Sequence, residues 1–490
     1  MASATSTLSP SGSRGAAPDA GRPGLGLLVL LAATFMTSLD IFIVNVAIPA
    51  VQSDLQAGSA AIQWVVAGFG LAVATGLITA GRLGDIFGRR RMFTVGLALF
   101  TATSAACGFA PTAGSLVAAR VLQGLSAALM SPQVLAILQT GWAGKAQARA
   151  FSMYGLTMGV GAVFGQLIGG LLIKADVFGL GWRACFLINL PVGLAALAAV
   201  PRALRESRAP RRPRLDNTGV ALSTAAVVAL VLPLIQGRSL GWPVWTWLCL
   251  AASAVLFAVF VVHQRRLGAA GGDPVLDTAL FRQRGFAAGA LAQLVFWTGQ
   301  GSFFLVLALY LQAGRGLDAL ASGVVFLAIG AGYLLTSTAA HRLAERLGRR
   351  TVPAGALLMA AGLGALWAAV HASGTTGSLW ELVPGLFLDG VGMGMVIAPL
   401  THDALAGVPA HLVGAASGVV ATIQQVSGAL GIALIGIVFY GAVGAGSPTR
   451  YPHAFGLGLA FLLALEVALA VLTARTASRS GASQGGAARH

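Results

Sequence analysis

Gly81-Arg82-Leu83-Gly84-Asp85-Ile86-Phe87-Gly88-Arg89-Arg90 decides the reading of this chain, because it returns 260 residues later as His341-Arg342-Leu343-Ala344-Glu345-Arg346-Leu347-Gly348-Arg349-Arg350. Each copy is short, charged and flanked by long apolar runs. Self-similarity at this distance implies two halves built alike, and two parallel halves of apolar helices enclose a cavity where they meet.

Working outward from the two copies, the chain is almost continuously apolar. Its 490 residues are 57% hydrophobic and only 9% charged, with a mean hydropathy of +0.82, well beyond the composition of water-soluble domains. A membrane-spanning helix needs about 20 apolar residues. Runs of that kind lie near 24–50, 60–81, 92–110, 113–139, 151–173, 182–201, 217–236, 243–263, 286–312, 319–340, 352–371, 379–405, 412–441 and 454–473. Each copy of the decamer stands between the second and third run of a set of six. The predicted fold is therefore an all-α polytopic membrane protein with fourteen transmembrane helices. Two six-helix halves, 24–201 and 286–473, surround a central cavity, and a two-helix hairpin (217–236 and 243–263) is inserted in the linker 202–285. Residues 1–23, rich in Ser, Ala, Pro and Gly, read as a disordered tail, and 474–490 as a second tail.

The net charge of +16 does not mark a nucleic-acid binder, since the basic residues are scattered over short loops rather than gathered on one face. Of the 31 basic residues, 25 fall on the side shared by both termini and five on the other, with Arg120 inside a run. The positive-inside rule then makes both termini cytoplasmic. Arginine outnumbers lysine 29 to 2, a GC-rich coding bias that points to a bacterial plasma membrane. Cys107, Cys185 and Cys249 lie within or beside apolar runs and read as packing residues. Neither lysine stands in a Walker-type phosphate loop, and no H-E-x-x-H, G-x-S-x-G or Cys/His cluster occurs. The sequence thus gives no reason to expect an enzyme, a metal or a bound cofactor.

Charges inside the apolar runs are the candidate functional residues. A carboxylate in the middle of a spanning helix costs about 2.5–3.5 kcal/mol unless it is paired, hydrated or protonated, so Asp40 needs a partner or a task. Arg120 is the one full positive charge placed within the bilayer. The two are open to either of two readings, a structural pair joining helices or a titratable site. Asp389 precedes Gly390 as Gln123 precedes Gly124, and is a candidate second proton or cation site. Gln63, Trp64, Gln123, Gln293, Trp297, Gln300, Gln424 and Gln425 are candidates to line the cavity, with helix-to-helix hydrogen bonding as the rival role. Glu466 has no evident partner and reads as peripheral or interfacial; His402 and Asp403 read as the cytoplasmic end of the twelfth run.

Four stretches carry a family resemblance. The loop from Gly81 to Arg91, the run Leu39-Asp40-Ile41-Phe42-Ile43-Val44-Asn45-Val46-Ala47-Ile48-Pro49, the segment Arg120-Val121-Leu122-Gln123-Gly124 and the glycine-spaced run Gly161 to Gly170 resemble the signatures of the major facilitator superfamily. The match is closest to its fourteen-span drug:proton antiporters. The resemblance implies that Gly81, Arg82, Gly84, Asp85, Gly88, Arg89 and Arg90, with Glu345 and Arg349 of the second copy, form a latch that closes the cytoplasmic mouth and releases as the cavity changes sides. It implies proton coupling at Asp40, with Arg120 tuning its proton affinity. It makes Gly161, Gly165, Gly169 and Gly170 the antiporter motif, from which this chain departs at Gln166, where the family usually has proline.

The function this implies is secondary export of small amphipathic molecules in exchange for protons by alternating access, with the proton gradient as energy source. The partners expected are a small-molecule substrate, protons and the lipid bilayer, with no nucleic acid, around a monomer. A proton-coupled metabolite importer or uniporter of the same fold remains the alternative, and behind it a non-transporting receptor.

Overall fold

The computed structural model describes residues 23–208, 215–406, 408, 413–444 and 448–487. The N-terminal tail up to residue 22 therefore lies outside the described residues. Among these residues every regular element is helical, as it must be where no water is present to satisfy lone backbone groups. In chain order they are α1 (Pro23–Asp54), α2 (Ser59–Phe87), α3 (Arg89–Gly108), α4 (Ala113–Gly141), α5 (Gly144–Ala175), α6 (Ala184–Leu187) and α7 (Asn189–Ala203). There follow α8 (Asn217–Gln236), α9 (Val244–Ala269), α10 (Arg284–Leu309), α11 (Ala319–Leu347), α12 (Thr351–Ser373), α13 (Val383–Leu405), α14 (Val413–Val443) and α15 (Tyr451–Ala487).

Among the described residues, 13 helical stretches are long and apolar enough to cross a membrane. The α6–α7 region counts as one of them, Gly181–Ala203. The run expected near 92–110 is present as α3, but Arg89, Arg90, Arg91 and the hydroxyls of Thr94, Thr101, Thr103 and Ser104 dilute its apolar character. Helix ends also differ from the apolar boundaries. Helix α2 continues through the charged loop as far as Phe87, so Gly81 and Gly84 are helical, and the break falls at Gly88, whose φ of +113° suits glycine. Helix α15 continues past 473 to Ala487.

The packing has a regular pattern. Helix α1 packs on α5 and α7, α2 on α4, and α3 on α4 and α7; in the same way α10 packs on α14 and α15, α11 on α13, and α12 on α13 and α15. The two clusters meet along two equivalent seams, α5 with α11 and α2 with α14. Helices α8 and α9 pack together, and α8 touches α2 and α14 beside one seam.

Glycines set the seams, because in a membrane close approach of small residues replaces the hydrophobic drive of water. A side chain at Gly165 or Gly169 would meet Phe42, Ile43 and Val46 of α1, and one at Gly161 would meet Ser38. Gly170 faces the other way, where an added Cβ would stand 2.4 Å from the backbone oxygen of Ala319 at the start of α11. Helix α5 runs unbroken through Gln166, which has replaced the family's helix-bending proline with a residue that can donate its backbone N–H.

Candidate functional site

Asp40 lies midway along α1, fully buried, and the surrounding helices converge on it. The Arg120 Nη1 of α4 donates to Asp40 Oδ2, while the Gln123 Nε2, one turn further along the same face, donates to Asp40 Oδ1 at 2.9 Å. From α7, Asn189 Nδ2 approaches the same oxygen at 3.4 Å. The network continues outward. Gln123 Nε2 and Asn189 Nδ2 also donate to Ser104 Oγ of α3 at 3.1 and 2.9 Å, and that hydroxyl donates to the Phe186 carbonyl at 3.0 Å. Arg120 completes its own set with Gln123 Oε1 at 2.7 Å and the Val65 carbonyl at 3.0 Å. Its guanidinium also lies over the Phe69 ring, 4.4 Å from the centroid.

This is a carboxylate held by one cation and two amides inside an apolar helix cluster. A buried ion pair stands only when hydrogen bonds satisfy its donors and acceptors; here both Asp40 oxygens accept, while Asn189 Oδ1 has no partner among the described residues. The Asp40–Arg120 pair thus joins α1 to α4. Gln123, expected in a substrate cavity, is instead committed to this network with both its oxygen and its nitrogen.

In the other cluster, Asp389 and Glu466 have no ion-pair partner among the described residues. Asp389 on α13 is 1% exposed and its Oδ2 has no hydrogen-bond partner among the described residues. Gly390 packs on the Ile329 backbone of α11 as Gly124 packs on the Phe69 backbone of α2, so Asp389 and Gln123 occupy matching positions. Glu466 corrects the sequence expectation of a peripheral acid. It is 2% exposed, faces Gly299 of α10 and lacks a partner for Oε2 among the described residues. The stretch of α15 around Glu466 is apolar on every side, so its sequence alone could not say which way Glu466 points.

The remaining polar candidates divide between two places. Gln293 accepts from Trp297 Nε1 at 2.9 Å and from Gln424 Nε2 at 3.2 Å, and donates to Thr401 Oγ1 at 3.0 Å, which joins α10, α13 and α14. Gln63 is packed against Gly436 and Gln425 approaches Gly70, both at the α2–α14 seam. The Trp64 Nε1 and Gln300 Oε1 are buried without partners among the described residues. A pocket opens elsewhere, between α1, α5, α10, α11 and α13, lined by Phe42, Gln166, Phe304, Phe326, Tyr333 and Met393 among others. Of the polar residues singled out in the sequence, Gln166 alone belongs to this lining.

At the charged loop, Asp85 pairs with Arg89 one turn on, at 3.0 Å. Glu206, after α7, accepts the backbone N–H groups of Arg90 and Arg91 at 3.0 and 3.2 Å. The carboxylate thereby caps the positive end of α3, and it is so close that a Cβ at Gly88 would stand 2.5 Å from it. Arg90 Nη1 also donates to the Leu204 carbonyl at 3.3 Å. Arg82 reaches the segment after α9, donating to the Asp273 and Pro274 carbonyls at 2.9 and 2.6 Å. That segment is tied back to α8 and α9: Gln264 accepts from the Leu276 N–H at 2.8 Å and donates to Asp216 at 2.6 Å. Burial pushes the Asp216 carboxyl up, but hydrogen bonds from His263, Gln264 and Gly219 outweigh it and hold the group below the usual carboxylate range. In the second copy Arg349 is exposed, while the side chain of Glu345 lies outside the described residues.

At the opposite end of the helices the two clusters are joined directly. Lys174 of α5 pairs with Asp318 at 3.0 Å, and Gln312 donates to the Val46 carbonyl of α1 at 3.0 Å. With Gly170 against Ala319 and Gly323 against the Gln166 backbone, this end is tightly closed.

The general model of the Major Facilitator Superfamily matches residues 30–432. The chain belongs to this superfamily. It is a multi-pass membrane transporter by that membership. A probable actinorhodin transporter of Streptomyces coelicolor is 40% identical over 443 residues, covering 89% of this chain and 75% of that protein. The puromycin resistance protein of Streptomyces alboniger is 37% identical, covering 86% and 82%. Among solved structures, a POT family transporter in complex with a thioalcohol-conjugated peptide superposes with a TM-score of 0.69 at 15% identity, covering 93% of this chain and 96% of the other. At that identity the likeness is one of fold.

Within the superfamily frame, Ser104 and Asn189 are the residues that sequence reasoning passed over. Both are uncharged, so only their convergence on Asp40 reveals them. Gln123 carried a usable signal, since three residues after Arg120 is the same helix face. The aromatic residues of the pocket come from α1, α10 and α11 and have no common spacing to read.

Proposed function

We propose that this transporter exports small amphipathic molecules, neutral or cationic, in exchange for protons by alternating access, with Asp40 carrying the proton. The observation that carries the proposal is the Asp40–Arg120–Gln123 network: a titratable acid sealed among apolar helices, with its cation close enough to set its proton affinity. Asp40 lies two residues before Phe42. The same helix therefore presents a carboxylate to α4 and an aromatic wall to the pocket, and a change at the first can move the second. The names of the two relatives, a transporter of one antibiotic and a resistance protein for another, support drug or antibiotic export as the direction.

The architecture proposed is fourteen spans, with α3 as the one of low hydropathy, arranged as six, two and six around a central cavity. The repeated neighbour pattern supports the two halves, and the mutual packing of α8 and α9 supports an inserted hairpin. The distribution of basic residues supports cytoplasmic termini, and the arginine bias supports a bacterial plasma membrane, with the protein a monomer. Lys174 and Asp318 then close the outer end. The Gly81–Arg91 segment is the latch in this scheme, with contacts to Leu204, Glu206, Asp273 and Pro274. Asp389 is a second proton site in this scheme, and Glu466 joins it. No bound cofactor takes part.

The test is an efflux and susceptibility screen across chemically diverse compounds in cells with and without the protein, followed by reconstitution under an imposed pH gradient. Antiport moves the compound against the proton flow; accumulation with the protons would identify an importer, and the absence of any flux a receptor. For topology, single cysteines at Ala4 and Gly485 in a cysteine-free background should resist impermeant thiol reagents added outside, and labelling of either one breaks the proposed arrangement.

A further inference from the structure

Among the described residues, every side chain that bonds the Asp40 carboxylate does so as a donor: Arg120 through Nη1, Gln123 through Nε2 at 2.9 Å and Asn189 through Nδ2 at 3.4 Å. Such a set suits a carboxylate, which only accepts. A protonated acid also donates, through one of its oxygens, and in this cage its O–H would point at another donor. An Asp40 that carries a proton, as proposed above, therefore needs an acceptor within reach.

Two of the three donors are committed. Arg120 has no acceptor atom. Gln123 Oε1 is held by Arg120 Nη1 at 2.7 Å and by Cys107 Sγ at 3.4 Å, so turning that amide would set its NH2 against a guanidinium. Asn189 is the exception. It is the first residue of α7 and 1% exposed, its contact with Asp40 is long, and its Oδ1 has no hydrogen-bond partner among the described residues. A buried amide oxygen left open is costly and calls for an explanation. The titratable groups of the surrounding elements do not fill the role. The Cys107 thiol of α3 is spent on Gln123, and the Cys185 thiol of α6 turns to the Gly169 carbonyl at 3.7 Å. The charged residues of α2, α5, α7, α10 and α11 stand near the ends of those helices, away from the middle of α1.

We infer that Asn189 is the acceptor for the Asp40 O–H: as the proton arrives, its amide makes half a turn about the terminal torsion, and Oδ1 takes the place of Nδ2 in front of Asp40 Oδ1. That torsion is broad and roughly two-fold in asparagine, so both orientations fill the same space. Ser104 follows the turn, because its hydroxyl accepts from Asn189 Nδ2 at 2.9 Å before it and donates to Oδ1 after it. One amide atom is open in either orientation, so the turn gains the O–H bond without orphaning a further amide atom. In the step, one proton passes from water to Asp40 Oδ1 and forms an O–H bond there, and no covalent bond of the protein breaks. The inference deepens the proton role proposed for Asp40 and rests on it.

Asparagine occurs at only three positions, Asn45, Asn189 and Asn217, so isotopic labelling of the asparagine side-chain carbonyl makes this amide visible in infrared difference spectra between high and low pH. The sample is the purified full-length protein in lipid bilayers. In wild type, lowering the pH should bring up a protonated-acid C=O band that Asp40→Asn lacks, and with it an isotope-sensitive shift of an asparagine side-chain band. In Asn189→Leu, similar in size but without an amide, the asparagine change should vanish and the acid band should stand at higher frequency, its O–H having lost the acceptor. Asn189→Gln, which restores an amide, should bring the acid band back toward its wild-type position. A wild-type acid band with no asparagine change overturns the role of Asn189 and leaves the proton on Asp40; this outcome requires no Asn189 variant to fold. An acid band unmoved in Asn189→Leu overturns it as well. Absence of any Asp40-dependent acid band overturns the proton role of Asp40, and the role of Asn189 with it.

Discussion

Replacing Asp40 by Asn tests the coupling network at its centre. The carboxylate takes hydrogen bonds from Arg120, from Gln123 at 2.9 Å and from Asn189 at 3.4 Å. An amide offers one accepting oxygen in place of two and turns a donor toward donors. Removing one member of a buried ion pair costs about 3–5 kcal/mol. Arg120 keeps Gln123 Oε1, the Val65 carbonyl and the Phe69 ring, which places Asp40→Asn at the lower end, about 3 kcal/mol, and compatible with insertion. The functional consequence is of another kind. One pH unit is worth about 1.36 kcal/mol per proton, hence about tenfold accumulation of an uncharged substrate exchanged for one proton. Wild-type proteoliposomes should reach that ratio, and Asp40→Asn at matched protein content should stay near unity while still exchanging substrate at equilibrium. Asp40→Glu, which retains a titratable group, should keep part of the gradient. Uphill transport by Asp40→Asn at the wild-type level would refute the role given to Asp40 and transfer coupling to Asp389.

Three further outcomes follow from the seams and the loop. Gly170→Ala should force apart α5 and α11, because its Cβ would press on the Ala319 backbone; overpacking of this kind costs about 1–3 kcal/mol, and spin labels at Lys174 and Asp318 should report a population shifted toward the longer distance. The Asp318 carboxyl is held below its ordinary value of 3.8, first by the Ala321 backbone N–H and then by the Lys174 side chain. A lowered acid favours the paired state above that value and loses it only as pH falls below the lowered one. The Lys174–Asp318 contact, probed by the same approach with labels one turn away, should therefore be unaffected between pH 5 and 8 and weaken only in stronger acid. Arg82→Ala removes both bonds to the Asp273 and Pro274 carbonyls; it should change the turnover rate while leaving substrate affinity at its wild-type value, as measured by transport at saturating and limiting concentrations.

Much of this fold was legible because hydrophobic runs of span length have few alternatives in a bilayer, and because the decamer at Gly81 recurs at His341. The positions of helix ends were less so. The sequence marks where apolar character stops, whereas α2 and α15 continue as helices into charged or small polar residues where hydrogen bonding, not hydropathy, decides. The charged members of the site stood out for the same reason that they are costly. Asp40 and Arg120 could be paired in advance, while Ser104 and Asn189 could not, since an uncharged hydroxyl or amide in an apolar run has no preferred direction. Glu466 shows the same limit on a charged residue: its cost was visible, its inward orientation was not.

The most direct test of proton-coupled export is the sign of the proton movement that accompanies the substrate. Proteoliposomes loaded with a compound identified by the efflux screen, with equal pH on both sides and a pH-sensitive dye inside, are diluted into compound-free buffer. Antiport predicts that the interior acidifies as the compound leaves, and that Asp40→Asn abolishes the acidification. A constant interior pH during efflux, or an alkaline shift, would contradict the account.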